Sequence, residues 1–299
     1  MPAATVREAE VARFDALAAR WWDPDGPMRP LHRMNPARVA WIVARIVEAF
    51  PAPAGLALLD VGCGAGLAAE ALAAQGFDVL GIDAAAGPIA AAVAHLAAAR
   101  AAGKQAVGNR PPAIPAPATR ASATGASAAD TPGGGTTGSR AAGDRGAGSA
   151  QAQTAATDAA GHELKLAYRV AAPEDLLAEG LRFPVITALE VIEHAADPAR
   201  FVATLAGLLA PGGLLVLSTL NRTAASFAAA KLGAEFVLRW LPVGTHDWRR
   251  FVTPAELGAL VRAAGLRVSN VTGLAPAGLS GGWRTGTGTG VNYLLAARN

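Results

Sequence analysis

The sequence is poor in cysteine, in aromatic residues and in charge. Cys63 is the only cysteine among 299 residues, so the chain cannot form an internal disulfide, which fits a reducing compartment. Charged residues make up 16% of the chain and the formal net charge is +3, and the basic residues form no cluster of the kind that binds nucleic acid. The composition therefore predicts neither a disulfide scaffold nor a nucleic-acid partner.

Long hydrophobic runs are also missing, although 52% of the residues are hydrophobic. No run reaches the roughly 18 consecutive apolar residues that a membrane-spanning helix requires. The N-terminal stretch MPAATVREAEVARFDALAAR carries charges throughout and lacks the apolar core of a secretory signal. We therefore expect a cytoplasmic globular protein with a large apolar core, whose membrane contact, if any, is peripheral.

One segment differs from the rest in composition. Between residues 101 and 160, 46 of 60 positions are Ala, Gly, Ser, Thr or Pro, and the only large aliphatic residues are Val107 and Ile114. Such a segment has too little apolar surface to bury on folding. We predict a disordered low-complexity insertion over 101–160 within a single domain of 1–299, because the motifs on its two sides complete one another. The alternative is a linker between two domains.

The rest of the chain alternates between two periodicities. Short apolar runs bounded by Gly, Pro or Asp predict buried strands, and the segments between them have helical spacing. This alternation predicts a Rossmann-like α/β fold, with a mostly parallel sheet, helices on both faces, and ligands at the carboxyl ends of the strands. The predicted strands are 56–62, 77–83, 164–170, 183–190 and 213–220, and the predicted helices are 67–75, 88–100, 173–178 and 198–209, after two N-terminal helices at 6–21 and 36–50.

A glycine-rich turn joins the first predicted strand to the following helix. Gly62, Gly64 and Gly66 allow a tight turn and a close approach of a ligand to the backbone, and the free N–H groups at a helix start favour an electronegative ligand. Asp83 ends the second strand, where its carboxylate can accept hydrogen bonds from ribose hydroxyls. The combination predicts a nucleotide-like cofactor rather than only a tight turn, and Leu67 in place of a further glycine argues against a dinucleotide.

A second polar group follows the strand 183–190. Glu190, Glu193 and His194 lie within five positions, where all three can point into the cleft above the sheet. Two carboxylates and an imidazole are able to hold Mg²⁺ or another divalent cation. In a competing interpretation, His194 or Glu190 is a general base. In a purely structural one, Glu193 caps the next helix and His194 donates to a backbone carbonyl.

The glycine turn and its surroundings resemble the class I methyltransferases that use S-adenosylmethionine. The matching segments are DVGCGAG (60–66), GID (81–83) and PGG (211–213). The resemblance implies a seven-stranded, mostly parallel sheet. It also implies that Asp60 and the three glycines form the loop that holds the amino-acid part of the cofactor, that Asp83 holds the ribose, and that Leu189 borders the pocket.

The flanking segments resemble a more specific family, the O-methyltransferase of ubiquinone biosynthesis. The matching segments are RWWDPDGPMRPLHRMNPARVAWI (20–42), STLNRT (218–223), GAEFVLRWLPVGTHDWRRFVTPAEL (233–257) and VNYLL (291–295). The resemblance implies methylation of ring hydroxyls on polyprenyl phenols and catechols, namely 2-polyprenyl-6-hydroxyphenol and 3-demethylubiquinol. It further implies a cofactor contact by Arg38 and a divalent metal held by Glu190, Glu193 and His194. The insertion and AAAGPI (84–89) depart from the family pattern.

The same segments supply weaker candidates. We expect His32 and His246 either to reach the substrate or only to satisfy local hydrogen bonds. Trp21 and Trp22 form either a lid over the ring or a packing pair. The segment 227–248 mixes large apolar with basic residues, as in a core-facing helix or a membrane-contacting surface.

For a polyprenyl substrate we expect the membrane contact, with peripheral association at the inner membrane and a complex with other enzymes of ubiquinone synthesis. The rival interpretations are a class I methyltransferase for another small phenolic acceptor and a non-catalytic lipid-binding factor with the same fold.

Overall fold

The computed structural model describes residues 8–102, 153–157, 163–227, 248–278 and 282–299. Two N-terminal helices precede an alternating series of strands and helices. The helices are α1 (Glu8–Leu17), α2 (Arg29–Ala49), α3 (Leu67–Ala73), α4 (Ala86–Ala101), α5 (Pro173–Ala178), α6 (Pro198–Leu208), α7 (Ala224–Phe227) and α8 (Pro254–Ala263). The strands are β1 (Ala57–Val61), β2 (Asp78–Asp83), β3 (Gln153–Thr157), β4 (Glu163–Val170), β5 (Phe183–Leu189), β6 (Leu209–Leu220), β7 (Arg267–Pro276), β8 (Trp283–Gly286) and β9 (Asn292–Arg298).

All of these strands belong to one sheet, in the order β3-β4-β2-β1-β5-β6-β9-β7-β8. The five strands from β4 to β6 are parallel, β9 is antiparallel to both of its neighbours, and β3 and β8 run antiparallel at the edges. Most strands therefore point the same way, and the predicted Rossmann-like α/β fold is confirmed. The sheet has nine strands rather than the predicted seven because a strand is added at each edge.

The edge strand β3 lies inside the segment 101–160, for which we predict no regular structure. It pairs antiparallel with β4, from Gln153 opposite Ala167 to Thr157 opposite Glu163. A ladder of this kind is made of main-chain hydrogen bonds, so it can form without the large apolar side chains that the segment lacks. Residues 103–152 and 158–160 of the predicted insertion lie outside the described residues.

Consecutive residues of the central strands pack on opposite faces of the sheet. In β1, Leu58 belongs to the apolar cluster that includes α2, α3 and α4, whereas Leu59 belongs to the cluster that includes α5, α6 and α8. Both side chains are fully buried. This is the alternation of a strand covered on both faces, and it explains why the central strands are apolar almost without interruption.

The order of the strands reverses between β1 and β5. After β1 the chain continues to β2 and β4 on one side, and after β5 it continues to β6 on the other. In open α/β sheets the crevice at the carboxyl ends of the strands at such a reversal is the usual ligand site. The predicted residues Gly62, Asp83 and Glu190 lie at or directly after the carboxyl ends of β1, β2 and β5, so the fold brings them to this crevice.

Candidate active site

The glycine loop between β1 and α3 contains three positions that tolerate no side chain. Gly62, Gly64 and Gly66 have φ angles of 67°, 56° and 88°, in the left-handed region that favours glycine. A Cβ atom on Gly62 would lie 2.5 Å from Cγ2 of Val191, and one on Gly66 would lie 2.1 Å from the hydroxyl of Tyr168. Backbone conformation and close packing therefore both require glycine here.

Asp83 joins the end of β2 to the glycine loop. Its Oδ2 accepts a hydrogen bond from the N–H of Gly64 at 2.9 Å, and its Oδ1 accepts one from the N–H of Ala85 at 2.9 Å. Burial raises the pKa of the Asp83 carboxyl group, and these backbone hydrogen bonds oppose the rise. Each carboxylate oxygen has a further lone pair, so Asp83 retains acceptor capacity for ribose hydroxyls.

Asp60, in β1, is a buried carboxylate below the loop. Its Oδ1 accepts a hydrogen bond of 2.6 Å from Oγ1 of Thr187, and within the described residues its Oδ2 has no hydrogen-bond partner. Burial raises the pKa of Asp60 to about 6, although the Thr187 hydrogen bond and the charge of Arg38 lower it. Asp60 thus places an unsatisfied acceptor beneath the predicted cofactor loop.

Arg38 is a buried cation that α2 holds close to the carboxylates of Asp60 and Glu190. It is 3% exposed, and its Nε donates to Oδ1 of Asn35 at 2.8 Å. The amide of Asn35 in turn donates to the carbonyl oxygen of Leu67, at the start of α3, at 2.7 Å. Burial lowers the pKa of Arg38, and the charges of Glu190 and Asp60 oppose this. This geometry is compatible with the predicted cofactor contact.

Glu190 follows β5 in a conformation that is rare for a residue with a side chain. Its φ angle is 59°, and it is the only non-glycine residue in the left-handed region in the part of the chain that the structure describes. Its Oε1 accepts hydrogen bonds from Oγ of Ser218 at 2.7 Å and from Nδ2 of Asn292 at 3.0 Å. Backbone strain of this kind concentrates at functional sites, where neighbouring groups maintain it.

Glu193 and His194 lie in a short 3₁₀ turn, Ile192–His194. Glu193 is buried and its Oε2 accepts a hydrogen bond of 2.8 Å from Oγ1 of Thr219. Burial raises the pKa of Glu193 to about 7, and the charge of Glu190 adds to this effect. The His194 ring lies 5.3 Å from that of Phe14, edge to face. The residue that caps α6 is Asp197 and not Glu193.

This arrangement does not fit the predicted divalent-metal site of Glu190, Glu193 and His194. In the described part of the chain, no three His, Cys, Asp or Glu side chains are grouped so that they could hold a metal ion. The two carboxylates instead bind hydroxyl and amide groups of other strands, and His194 packs against Phe14. We therefore derive no catalytic step through a metal, and Glu190 and His194 stay candidates for a general base.

Of the remaining predicted site residues, His32 and Leu189 lie within the described part of the chain. His32, on α2, donates from Nε2 to the carbonyl oxygen of Trp21 at 2.8 Å, so this nitrogen is engaged within the fold. Leu189 ends β5 and is buried beside the crevice. His246 lies outside the described residues. Ser218 and Asn292 are not predicted individually, because only the sheet order reveals that the segments 218–223 and 291–295 lie beside Glu190.

The sequence matches a known protein family. A family model described as a methyltransferase domain matches residues 31–271. The chain is 37% identical over 302 residues to the ubiquinone biosynthesis O-methyltransferase of Caulobacter vibrioides, and the match covers 98% of this chain and 95% of the relative. The chain belongs to the ubiquinone biosynthesis O-methyltransferase family. The relative of the same name from Methylobacterium nodulans is 38% identical, with 96% of this chain and 93% of the relative covered.

A solved structure supports the fold independently. It is a chain of a complex between the Haloferax volcanii Trm112 methyltransferase activator and a methyltransferase, with a TM-score of 0.51 at 16% identity, covering 95% of this chain and 96% of that one. As a member of this O-methyltransferase family, the protein is an S-adenosylmethionine-dependent O-methyltransferase, as predicted. Among its described helices, none is both long and apolar enough to span a membrane.

Replacing Glu193 with glutamine should stabilise this family member above pH 7. The pKa of Glu193 is about 7 in the folded protein, against an ordinary value of 4.5. The folded state therefore holds this proton more tightly than the unfolded state, and the free energy of unfolding falls as the pH rises from 4.5 through about 7. Glutamine does not ionise, and its amide oxygen can still accept the hydrogen bond from Oγ1 of Thr219. In urea unfolding at pH 8 we expect the variant to be more stable by on the order of 2 kcal/mol. This difference should shrink towards pH 4.5, and a constant difference would contradict the assignment.

Proposed function

We propose that the protein methylates ring hydroxyls of polyprenyl phenol and catechol intermediates of ubiquinone biosynthesis, including 2-polyprenyl-6-hydroxyphenol and 3-demethylubiquinol. The observation that carries the proposal is the Glu190 carboxylate, held by Ser218 and Asn292 at the carboxyl end of β5. Similarity over 98% of the chain to relatives named for ubiquinone biosynthesis supports the substrate class.

A phenol needs a base because its pKa is about 10, so the neutral hydroxyl predominates at physiological pH. Glu190 Oε1 already accepts two hydrogen bonds, whereas Oε2 has no hydrogen-bond partner among the described residues. Oε2 therefore accepts the proton of the ring hydroxyl in our proposal. S-adenosylmethionine, when bound, supplies an electrophilic methyl group on a sulfonium sulfur. The loop glycines and Asp83 would hold the cofactor in line with the ring oxygen, so that an oxygen–carbon bond forms as the carbon–sulfur bond breaks and S-adenosylhomocysteine leaves.

The proposal is tested by methyl transfer from labelled S-adenosylmethionine to 3-demethylubiquinol in lipid vesicles. We expect turnover that is much faster than with a soluble catechol at equal concentration. Equal rates would favour a methyltransferase for another small phenol, and cofactor binding without any transfer would favour a non-catalytic factor. The assay is repeated with EDTA and then with added Mg²⁺, because activity indifferent to both excludes the predicted metal requirement.

Peripheral membrane contact is the second part of the proposal. A polyprenyl chain resides in the bilayer, so the enzyme must meet it at the membrane surface. The candidate contact is the segment 227–248, most of which lies outside the described residues; at its ends, the rings of Phe227 and Trp248 are 6.0 Å apart, and Phe227 is 38% exposed. The protein should float with the same vesicles, and charge reversal at Lys231 and Arg239 should weaken flotation. A protein that never floats contradicts this part alone.

A further inference from the structure

Two consecutive tryptophans, Trp21 and Trp22, lie against the glycine loop and are here called the aromatic strap. Trp21 is 6% exposed and packs with Ala65 and Leu67 of the loop and α3. A Cβ atom on Gly64 would lie only 2.2 Å from Cζ2 of Trp21. The indole ring therefore rests directly on the loop residue whose N–H is bound by Asp83.

Trp22 holds the next residue of the loop by a hydrogen bond. Its indole Nε1–H donates to the carbonyl oxygen of Ala65 at 3.0 Å. Ala65 lies between two glycines that have few conformational restraints of their own, so a bond to its carbonyl fixes the orientation of a peptide plane that is otherwise easily rotated. The two tryptophans together restrain the loop from Gly64 to Ala65.

Trp22 is itself held by an ionisable pair, the partly exposed His95 and the buried Glu70. Its ring is stacked on the imidazole of His95, with 3.4 Å between centroids and 5° between planes. Nδ1 of His95 lies 3.0 Å and 3.2 Å from the two carboxylate oxygens of Glu70, so it is the donor to this carboxylate. Glu70 is only 2% exposed and belongs to α3, the helix that begins at the end of the loop. The contacts therefore run from Ala65 of the loop through Trp22 and His95 to Glu70 of α3, the helix that follows the loop.

We propose that the aromatic strap keeps the glycine loop in its cofactor-binding shape and slows cofactor release, and that Glu70 and His95 are positioning residues that act through Trp22. A loop already ordered before binding loses less conformational freedom when the cofactor binds. His32 supports the same element, because it donates to the carbonyl oxygen of Trp21. None of these side chains is needed for proton transfer in the proposed reaction.

The test is the release rate of S-adenosylhomocysteine, measured by stopped-flow displacement in Trp22→Phe, which retains an aromatic ring but loses the N–H donor. Loss of one hydrogen bond and the looser loop should accelerate release about tenfold. The matched control is Trp41→Phe on α2, whose ring packs with Arg45 and, among the described residues, makes no hydrogen bond to the loop. Its release rate should stay within twofold of the parent.

The Glu70 variants separate positioning from a general effect on folding. Glu70→Ala should accelerate release as Trp22→Phe does, whereas Glu70→Gln should restore slow release because its amide oxygen still accepts from His95. Equal release rates in Trp22→Phe and Trp41→Phe, or no restoration by Glu70→Gln, would overturn the inference. The measurement uses no methyl acceptor, so its outcome is independent of the substrate proposed above. If Trp22→Phe folds poorly, His95→Ala, which removes the stacked ring, is compared with Trp41→Phe in the same way.

Discussion

S-adenosylmethionine should bind Asp83→Ala about 100-fold more weakly than the parent protein, or worse. The substitution removes the acceptor of the Gly64 and Ala85 N–H groups, and with it the proposed acceptor of the ribose hydroxyls. Hydrogen bonds to a charged group contribute about 1.5–3 kcal/mol each, and about 1.4 kcal/mol corresponds to a tenfold change in affinity. Loss of two such interactions is therefore enough for the expected effect. Titration calorimetry with the cofactor measures it directly.

Asp78→Ala is the matched control for Asp83. Asp78 begins β2, whereas Asp83 ends it, so the two carboxylates lie at opposite ends of the strand. The control should bind the cofactor within a few-fold of the parent. The cofactor affinity of Asp83→Asn should lie between those of Asp83→Ala and Asp78→Ala, because its amide retains one acceptor oxygen. Unchanged affinity in Asp83→Ala would remove this residue from the cofactor site, whatever its effect on folding.

The central strands were accessible to sequence reasoning because their residues are buried on both faces. The predicted strand 77–83 corresponds to Asp78–Asp83, and 183–190 to Phe183–Leu189. The first half of β7, by contrast, alternates between exposed and half-buried residues, and β3 is QTAAT. Strands of this kind are specified by the partner they pair with, and a local pattern of apolar residues does not reveal them.

The second N-terminal helix shows where a local rule was overridden. Proline is common in the first turn of a helix, which is why the sequence predicts a start at Pro36. The observed helix starts at Arg29 and contains Pro36 in its interior. Its neighbour Asn35 donates to the carbonyl oxygen of Leu67 and accepts from Arg38, so contacts with the cofactor loop and a buried cation hold the helix through this position.

In the candidate site, the location was predictable and the partners were not. The carboxyl ends of parallel strands share one edge, so Gly62, Asp83 and Glu190 were expected to meet. The partners of Glu190 are 28 and 102 positions away in the chain. Ser218 reaches it because β6 pairs with β5, and Asn292 reaches it because β9 inserts next to β6, with Asn292 opposite Leu220. The ExxEH spacing suggested a shared metal, but the 3₁₀ turn directs these side chains to different partners.

Glu190→Gln should lower the rate of methyl transfer by about 100- to 10,000-fold, the range typical of a lost general base. The amide keeps the shape of the side chain, and its oxygen can still accept from Ser218 and Asn292, so the surrounding strands should be undisturbed. Affinity for S-adenosylmethionine should change little, because Glu190 makes no hydrogen bond to the glycine loop among the described residues. Single-turnover methyl transfer measures the chemical step, and calorimetry measures cofactor binding.

The backbone at Glu190 allows the loss of the base to be separated from loss of stability. With φ at 59°, Glu190→Gly suits the observed conformation, whereas Glu190→Ala keeps a Cβ atom in a region that disfavours it by about 1–2 kcal/mol relative to glycine. The two variants should be equally inactive, but the glycine variant should be the more stable in urea unfolding. His194→Gln tests the rival base. If that variant is inactive while Glu190→Gln retains most of its activity, His194 is the base, and Glu190 only orders the end of β5.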